Sequence, residues 1–305
     1  MIEPKKKWRR YHTKQGICIN GDCEELIQDY LVPNYQGKIQ LILTSPPFPL
    51  KRAKKYGNKV GEEYLNWLCD IGNQLKPLLT ETGSIVIEIG NAWNPGEPTF
   101  STLPIETLLE FKKRCGFYLC QEFIYYNPAR LPGPIEWVNK QRIRVKDSFT
   151  QIWWMSLTPT PFADNKKVVE PYSKQMKKLL ETGKYNFGAR PSEHIISETA
   201  FSTDNGGAIP SNVIIAANTV ATDPYISKCK EKGLEIHPAR MARAIPEFFI
   251  NFLTKENDIV LDCFAGSNTT GAVAEALKRQ WISIELDRNY YDGSKYRFRR
   301  NDSNG

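Results

Sequence analysis

Ile39-Gln40-Leu41-Ile42-Leu43-Thr44-Ser45-Pro46-Pro47-Phe48 is the stretch on which the reading of this chain turns. Ile39 to Leu43 is aliphatic and partly β-branched, the pattern of a short buried strand. Thr44 and Ser45 bring it to a polar end, and two consecutive prolines then bar strand and helix alike. Each proline lacks an N–H and fixes φ, so the neighbouring carbonyls point in set directions. A hydroxyl, stiff carbonyls and an aromatic ring are thus presented together at the carboxyl end of a strand, where ligands bind in open α/β sheets. Four residues alone are equally compatible with a proline turn or a polyproline ligand, so the rest of the chain decides.

Upstream, residues 1–15 are basic and aromatic and read as an arm. Gly16 to Asn20 reads as a strand, and Asp22 is placed to cap the helix that follows. Downstream, Tyr64, Leu65, Trp67, Leu68, Ile71 and Leu75 keep helical spacing, and Ser84 to Gly90 forms another apolar run. A helix over Ile105–Cys115 ends at Gly116. Phe117–Tyr126 and Phe149–Leu157 read as antiparallel partners around a basic, proline-containing loop. Regular order returns at Arg240, with a helix over Met241–Leu253, a strand over Ile259–Asp262, a helix over Thr269–Lys278 and a strand over Trp281–Glu285. Strands alternating with helices predict an α/β fold with a doubly wound, mostly parallel sheet. From 158 to 234 the pattern dissolves into Pro, Gly, Ser, Thr and Asn. That predicts an insertion with a recognition role of its own.

With 305 residues there is chain enough for one large domain, or a domain with a sizeable insertion. The net charge of +7 is concentrated in Lys5–Arg10, in Lys51, Arg52, Lys54 and Lys55, and in Lys140–Lys146 with Arg142 and Arg144. Such groups suit a polyanion, although a solvated basic face explains them as simply. Seven cysteines form no Cys-x-x-Cys pair, and His12, His194 and His237 are scattered, so no metal site is predicted. The cysteines read as reduced and mostly buried, in an intracellular protein. No apolar run reaches about 18 residues and no signal peptide is evident, so membrane and export roles are not expected.

A second constellation, Asp262-Cys263-Phe264-Ala265-Gly266-Ser267-Asn268-Thr269-Thr270-Gly271, lies between a strand and a helix. Its glycine admits close backbone approach, and a helix start supplies free N–H groups. Glu285, at the end of the next strand, can accept from both hydroxyls of a ribose. Asn268 stands where a dinucleotide fingerprint has its second glycine, and the Walker lysine is missing. A cofactor with ribose but no pyrophosphate fits best, with a purely structural turn as the alternative. S-adenosylmethionine is the obvious such cofactor.

Thr-Ser-Pro-Pro-Phe early, His237-Pro238-Ala239-Arg240 before a helix and the Asp262–Gly271 segment late together resemble the β-class amino-methyltransferases of DNA, which act on adenine N6 or cytosine N4. The resemblance runs from about Ile17 to Phe298. It implies a class I S-adenosylmethionine-dependent methyltransferase fold, a seven-stranded sheet in circularly permuted motif order. The catalytic half is then 1–157, a target-recognition insert 158–234 and the cofactor-binding half 235–305. Residue by residue, Ser45, Pro46, Pro47 and Phe48 match the catalytic tetrapeptide. Asp262, Phe264, Ala265, Gly266, Asn268 and Thr269 match the cofactor loop, and Glu285 matches the ribose-binding acid. Asp22 matches the residue that meets the cofactor's adenine, and His237 opens the segment beside its methionine end. Cys263 and Met241-Ala242 depart from the commoner proline and Phe-Pro of the family, but neither removes a polar contact.

The resemblance further implies double-stranded DNA as partner, contacted through Lys51, Arg52, Lys54, Lys55, Arg142 and Arg144. It implies a cytoplasmic, nucleoid-associated enzyme and a separate restriction endonuclease of matching specificity. No cysteine follows a proline, whereas methylation at cytosine C5 uses a Pro-Cys nucleophile in the corresponding family. Ser-Pro-Pro-Phe favours cytosine N4 over adenine N6 on resemblance. An RNA or protein-glutamine methyltransferase and a non-catalytic DNA-binding protein are the remaining alternatives.

Overall fold

The computed structural model describes residues 8–48, 59–183, 188–189, 195–196, 203–218 and 223–298. In chain order they form β1 (Arg9–His12), β2 (Gly16–Asn20), α1 (Cys23–Leu26), a wider helical turn over Ile27–Leu31, α2 (Val32–Tyr35) and β3 (Ile39–Thr44). Then come α3 (Gly61–Leu75), β4 (Leu79–Gly90), α4 (Leu103–Cys115), β5 (Tyr118–Tyr126), β6 (Phe149–Ser156) and α5 (Lys174–Thr182). The two-residue strands β7 (Gly188–Ala189) and β8 (Ile195–Ile196) follow, then β9 (Val213–Ile215), α6 (Pro224–Glu231), α7 (Ala244–Leu253), β10 (Ile259–Asp262), α8 (Thr269–Ala276), β11 (Gln280–Glu285) and α9 (Arg288–Ser294).

Strands β2, β11, β10, β3 and β4 run parallel as neighbours in that order, and β6 and β5 extend the sheet beyond β4, β6 antiparallel to both. These seven are the strands expected from sequence. Two short edge strands raise this sheet to nine among the described residues, β1 against β2 and β9 against β5, and β7 and β8 pair separately. Expecting an arm at residues 9–12 was therefore wrong. The Tyr11 ring packs beside Trp281, Tyr291 and Phe298, and its hydroxyl bonds Ser294 at 2.8 Å, which pins this segment to the sheet edge.

Every residue of β3 is buried, its aliphatic residues in the core and its two polar ones bonded, Gln40 to the Thr80 hydroxyl and Thr44 to Asp262. Alternation sorts its neighbours to two faces. Ile42, Ile85, Ile87 and Trp153 share one core cluster with Leu68 of α3 and Phe111 of α4. On the other side Trp154 meets Phe252 of α7 at 5.1 Å, and Phe123 meets Phe249 at 5.0 Å. Trp153 and Trp281 are among the largest fully buried side chains. Truncating either to alanine would cost about 3–5 kcal/mol. Chain connections leave β10 through α8 toward β11 and leave β3 through α3 toward β4. Their carboxyl ends therefore part over a crevice, the switch point of a doubly wound sheet.

Tertiary contacts divide the chain into two units. One holds the sheet and is built from the residues up to Phe162 and from Asn212 onward; the other is Ala163–Ser211. Within the second, Ser173 caps α5 by accepting from the Met176 N–H, Glu170 pairs with Ala208, and the Tyr172 hydroxyl accepts from the Asn205 N–H. The irregular stretch expected over 158–234 thus contains this unit, while β9 and α6 at its far end belong with the sheet.

Candidate active site

A cavity of about 900 Å³ opens over the crevice at the carboxyl ends of β3, β10, β11 and β2. Ser45, Pro46, Pro47 and Phe48 form one wall. Phe48 lies so close to the end of β4 that a Cβ at Gly90 would sit 2.3 Å from its ring. Glycine there is what lets the aromatic ring settle beside the strand. Asp262, Phe264, Ala265, Gly266 and Thr269 form the facing wall, with Asp22, His237 and Glu285 around them.

The two walls are tied to each other. The Thr44 hydroxyl donates to Asp262 Oδ1 at 2.7 Å, and the same oxygen accepts the Phe264 N–H at 3.1 Å. Burial raises the Asp262 carboxyl above the usual aspartate range, against hydrogen bonds from Thr270 and Thr44 that pull it down. Glu285 is held in the same manner. Its Oε2 accepts the Gly266 N–H at 2.7 Å and its Oε1 accepts the Asp287 N–H at 2.7 Å. Burial pushes its carboxyl up to about 7, and those two backbone donors offset part of that shift. Each carboxylate oxygen keeps acceptor capacity beyond its one bond.

Gly266 has φ +52°, and a Cβ on it would meet His237 Nε2 at 3.0 Å, so the imidazole covers the loop closely. His237 in turn stands edge-on to Tyr290 at 4.5 Å, and its backbone N–H donates to the Tyr225 hydroxyl at 2.9 Å. Arg297 clamps the loop from behind: its Nε donates to the Ser267 carbonyl at 2.6 Å and its Nη1 to Asp223 at 3.1 Å.

Some expected residues sit elsewhere. Asn268 does not face the cavity. It is fully buried with φ +57°, caps α8 by accepting the Gly271 N–H, and also accepts the Ser283 hydroxyl at 2.7 Å. Its work is to hold the loop, because its amide is consumed inside the fold. Asp22 lines the cavity but also caps α1, accepting the Glu24 N–H at 2.8 Å. Arg142 and Arg144 are exposed on the loop between β5 and β6 and do not line the cavity; Arg144 donates to the Pro98 carbonyl at 2.9 Å. Lys51, Arg52, Lys54 and Lys55 lie outside the described residues.

Sequence reasoning missed Trp67, Glu24 and Tyr290. Trp67 packs on Phe264 at 5.5 Å and donates to Glu24 at 2.8 Å, which makes an aromatic side to the cavity. In sequence, Trp67 merely continued a helical apolar stripe.

The donor set fits a particular kind of ligand. Five carboxylates (Asp22, Glu24, Asp262, Glu285, Asp287) line the cavity against three cationic side chains (Lys59, Arg240, Arg288). That balance suits a ligand with hydroxyls and a positive centre better than a pyrophosphate, and the aromatic wall offers a surface for a flat heterocycle. S-adenosylmethionine has this chemistry, so the residues present fit it.

Comparison with known proteins gives a concordant result. A family model described as DNA methylase, of the N6/N4 methyltransferases, matches residues 39–296. The type II methyltransferase M.PvuII of Proteus hauseri is 42% identical over 290 residues, covering 94% of this chain and 85% of that protein. M.BglII of Bacillus subtilis is 24% identical over 276 residues, covering 90% and 66%. Among solved structures, PvuII DNA methyltransferase (cytosine-N4-specific) superposes with a TM-score of 0.78 at 35% identity, over 99% of this chain and 92% of that one. The M1.HpyAVI–SAM complex, at 20% identity and a TM-score of 0.55 over 93% and 98%, shares the fold. The sheet and the crevice are those of a class I methyltransferase, with the Ser45–Phe48 wall preceding the Asp262–Thr269 wall in circularly permuted order, and the chain belongs to the N6/N4 DNA methylase family.

Proposed function

We propose that this protein transfers a methyl group from S-adenosylmethionine to the exocyclic N4 of a cytosine flipped out of double-stranded DNA. The observation that carries this reading is the junction of the Ser45-Pro46-Pro47-Phe48 wall with the Asp262–Thr269 wall across one cavity, linked by the Thr44–Asp262 bond. The likeness to a cytosine-N4-specific enzyme at 35% identity favours cytosine over adenine.

Glu285 holds the ribose hydroxyls, Asp22 meets the adenine, and Phe264 with Trp67 packs against its plane. His237 and the loop at Ala265–Gly266 border the methionine end. When bound, the cofactor supplies an electrophilic methyl group on a sulfonium. On the opposite wall Phe48 stacks on the target base, worth about 1–3 kcal/mol, because a base inside a duplex cannot offer its amino group. The Ser45 hydroxyl and the carbonyl between Pro46 and Pro47 accept from the amino hydrogens. They turn the nitrogen lone pair out of the ring's conjugation and face the positive charge that grows on it. Rate comes from alignment and from that stabilisation.

The segment 158–234 supplies target recognition, flanked by the catalytic half 1–157 and the cofactor-binding half 235–305. Phosphate contacts fall to Lys51, Arg52, Lys54, Lys55, Arg142 and Arg144. As a modification enzyme the protein works on the nucleoid, beside a separate endonuclease of the same specificity. The test is to treat duplex DNA with protein and S-adenosylmethionine, digest it to nucleosides and weigh them. N4-methylcytosine is expected; N6-methyladenine would overturn the choice of base and leave the family intact.

A further inference from the structure

The connection between β5 and β6, residues 127–148, stands at the same edge of the sheet as the cavity. β6 runs antiparallel to β4 and Thr150 pairs with Gly90, so Ser148 and the residues before it lie beyond the carboxyl end of β4. Phe48 of the Ser-Pro-Pro-Phe wall lies against that same Gly90. Polar atoms hold the connection in shape. The Ile143 N–H donates to the Trp137 carbonyl at 2.9 Å, and the Asp147 N–H donates to the Gly133 carbonyl at 3.2 Å. Asn91, just past β4, donates to Asp147 at 2.9 Å. Lys146 ties the two ends together by donating to the Pro128 carbonyl at 2.9 Å.

This braced frame leaves its apolar side chains bare. Leu131 is 83% exposed and Val145 85%, the two highest values for a large hydrophobic side chain among the described residues, and Ile135 and Ile143 are exposed as well. From Arg142 to Lys146 cations alternate with aliphatic residues, and all five are exposed. Arg142 has φ +57°, a left-handed backbone that a residue with a Cβ adopts only at a cost. One exposed aliphatic residue needs no explanation, whereas several on a single rigid protrusion mark a contact surface. Duplex DNA offers stacked apolar base faces and phosphates together, which is what alternating aliphatic and cationic side chains would meet.

We propose that this connection is the surface against which duplex DNA is opened. Leu131 and Val145 pack on the bases that lose a neighbour when the target leaves the stack, and Arg142 holds a phosphate beside them. This rests on the reading that the target is flipped out toward the Ser45–Phe48 wall. Extrusion costs the target its pairing and stacking, and it uncovers the faces of the flanking bases. Aliphatic side chains there take those faces from water and offset part of the cost, as apolar side chains do where proteins part base steps. Phosphate contacts on the same protrusion set its register on the duplex. Bracing matters because a protrusion already ordered loses little entropy on binding.

The test uses the full chain, its Leu131→Ala/Val145→Ala double variant and Arg142→Gln. Both apolar positions are exposed, so the double variant should match the parent in thermal stability and cofactor affinity. In single-turnover methylation of a duplex whose target cytosine pairs with guanine, it should lose about 10-fold in rate, the scale of two aliphatic side chains partly buried. With an abasic position opposite the target, the loss should fall below about twofold, because an unpaired base leaves the stack readily. Pyrrolocytosine at the target position reports extrusion without turnover, since it pairs with guanine and brightens when unpaired. At saturating protein that brightening should be largely lost in the double variant and kept in Arg142→Gln. Arg142→Gln should instead weaken DNA affinity and reduce its salt slope by about one. A double variant that methylates the paired duplex at the parent rate, or loses equally on both duplexes, overturns the proposal and leaves the cytosine-N4 reading standing. A change of oligomeric state in the double variant also overturns it, by making the protrusion an interface between copies of the chain. A parent protein that makes no N4-methylcytosine removes the underlying reading and this one with it.

Discussion

The turns that follow β3 and β10 are neighbours in space and are built on opposite plans. After β3 the chain is stiffened from within: Pro46 and Pro47 fix their own φ, and the side chains of Ser45 and Phe48 remain available to the cavity. After β10 the chain is held from without. Asp262 takes the Phe264 N–H, Glu285 takes the Gly266 N–H, Asn268 takes the Gly271 N–H, and Arg297 grips Ser267. The first plan suits a turn that must offer polar atoms to a substrate without rearranging. The second suits a loop shaped around a ligand, since every brace is a separate residue that can be adjusted. Damage should therefore separate cleanly, with turnover lost on one side and cofactor affinity on the other.

The largest effect that would test this separation is in Ser45→Ala. Removing one aligned acceptor at a centre where charge develops should lower kcat by about 10²–10³, with little change in cofactor Kd by calorimetry. Equal losses in both would erase the distinction between the turns. Next comes Glu285→Ala, which deletes the proposed acceptors for two hydroxyls and orphans the Gly266 N–H. A lost charged hydrogen bond of about 1.5–3 kcal/mol predicts cofactor Kd weaker by about 10- to 150-fold, with DNA affinity in a filter-binding assay unchanged. Gly266→Ala should cost about 1–2 kcal/mol from its left-handed φ, adding a clash with His237, and so weaken cofactor about 5- to 30-fold in the same titration. The smallest effect is that of pH. In the proposed complex the ionised Glu285 carboxylate is the acceptor, and burial raises its pKa to about 7. Affinity should hold above that value and fall as pH drops through it, approaching tenfold per unit. A flat profile in the parent would mean the carboxylate is not the ribose acceptor, and Glu285→Gln should flatten it in any case.

Local chemistry made much of this legible. Two prolines after an apolar run announce a rigid turn at a strand end, and an acid at the end of the following strand announces a hydroxyl-binding position. Both need only neighbouring residues. The two edge strands were not legible, because Arg9–His12 and Val213–Ile215 owe their extension to partners far along the chain: Tyr11 to Trp281 and Phe298, and Ile214 to Tyr125. Glu88 was invisible for a related cause. In an apolar strand, one acid reads as a residue turned to solvent, whereas it is buried and accepts the Thr150 hydroxyl from β6. Asn268 misled in the opposite direction. Its place in a loop of ligand-type sequence suggested contact, whereas burial and φ show it spent on the fold.

The bond between Thr44 and Asp262 spans 218 positions of sequence. Closing a loop of that size costs about 5 kcal/mol in chain entropy, yet doubling its length would add only about 0.6 kcal/mol. Chain entropy therefore sets little limit on the length of an insertion within that loop. A gene in this lineage could lengthen or exchange the Ala163–Ser211 unit, none of whose described residues line the cavity, and leave both walls of the cavity as they stand.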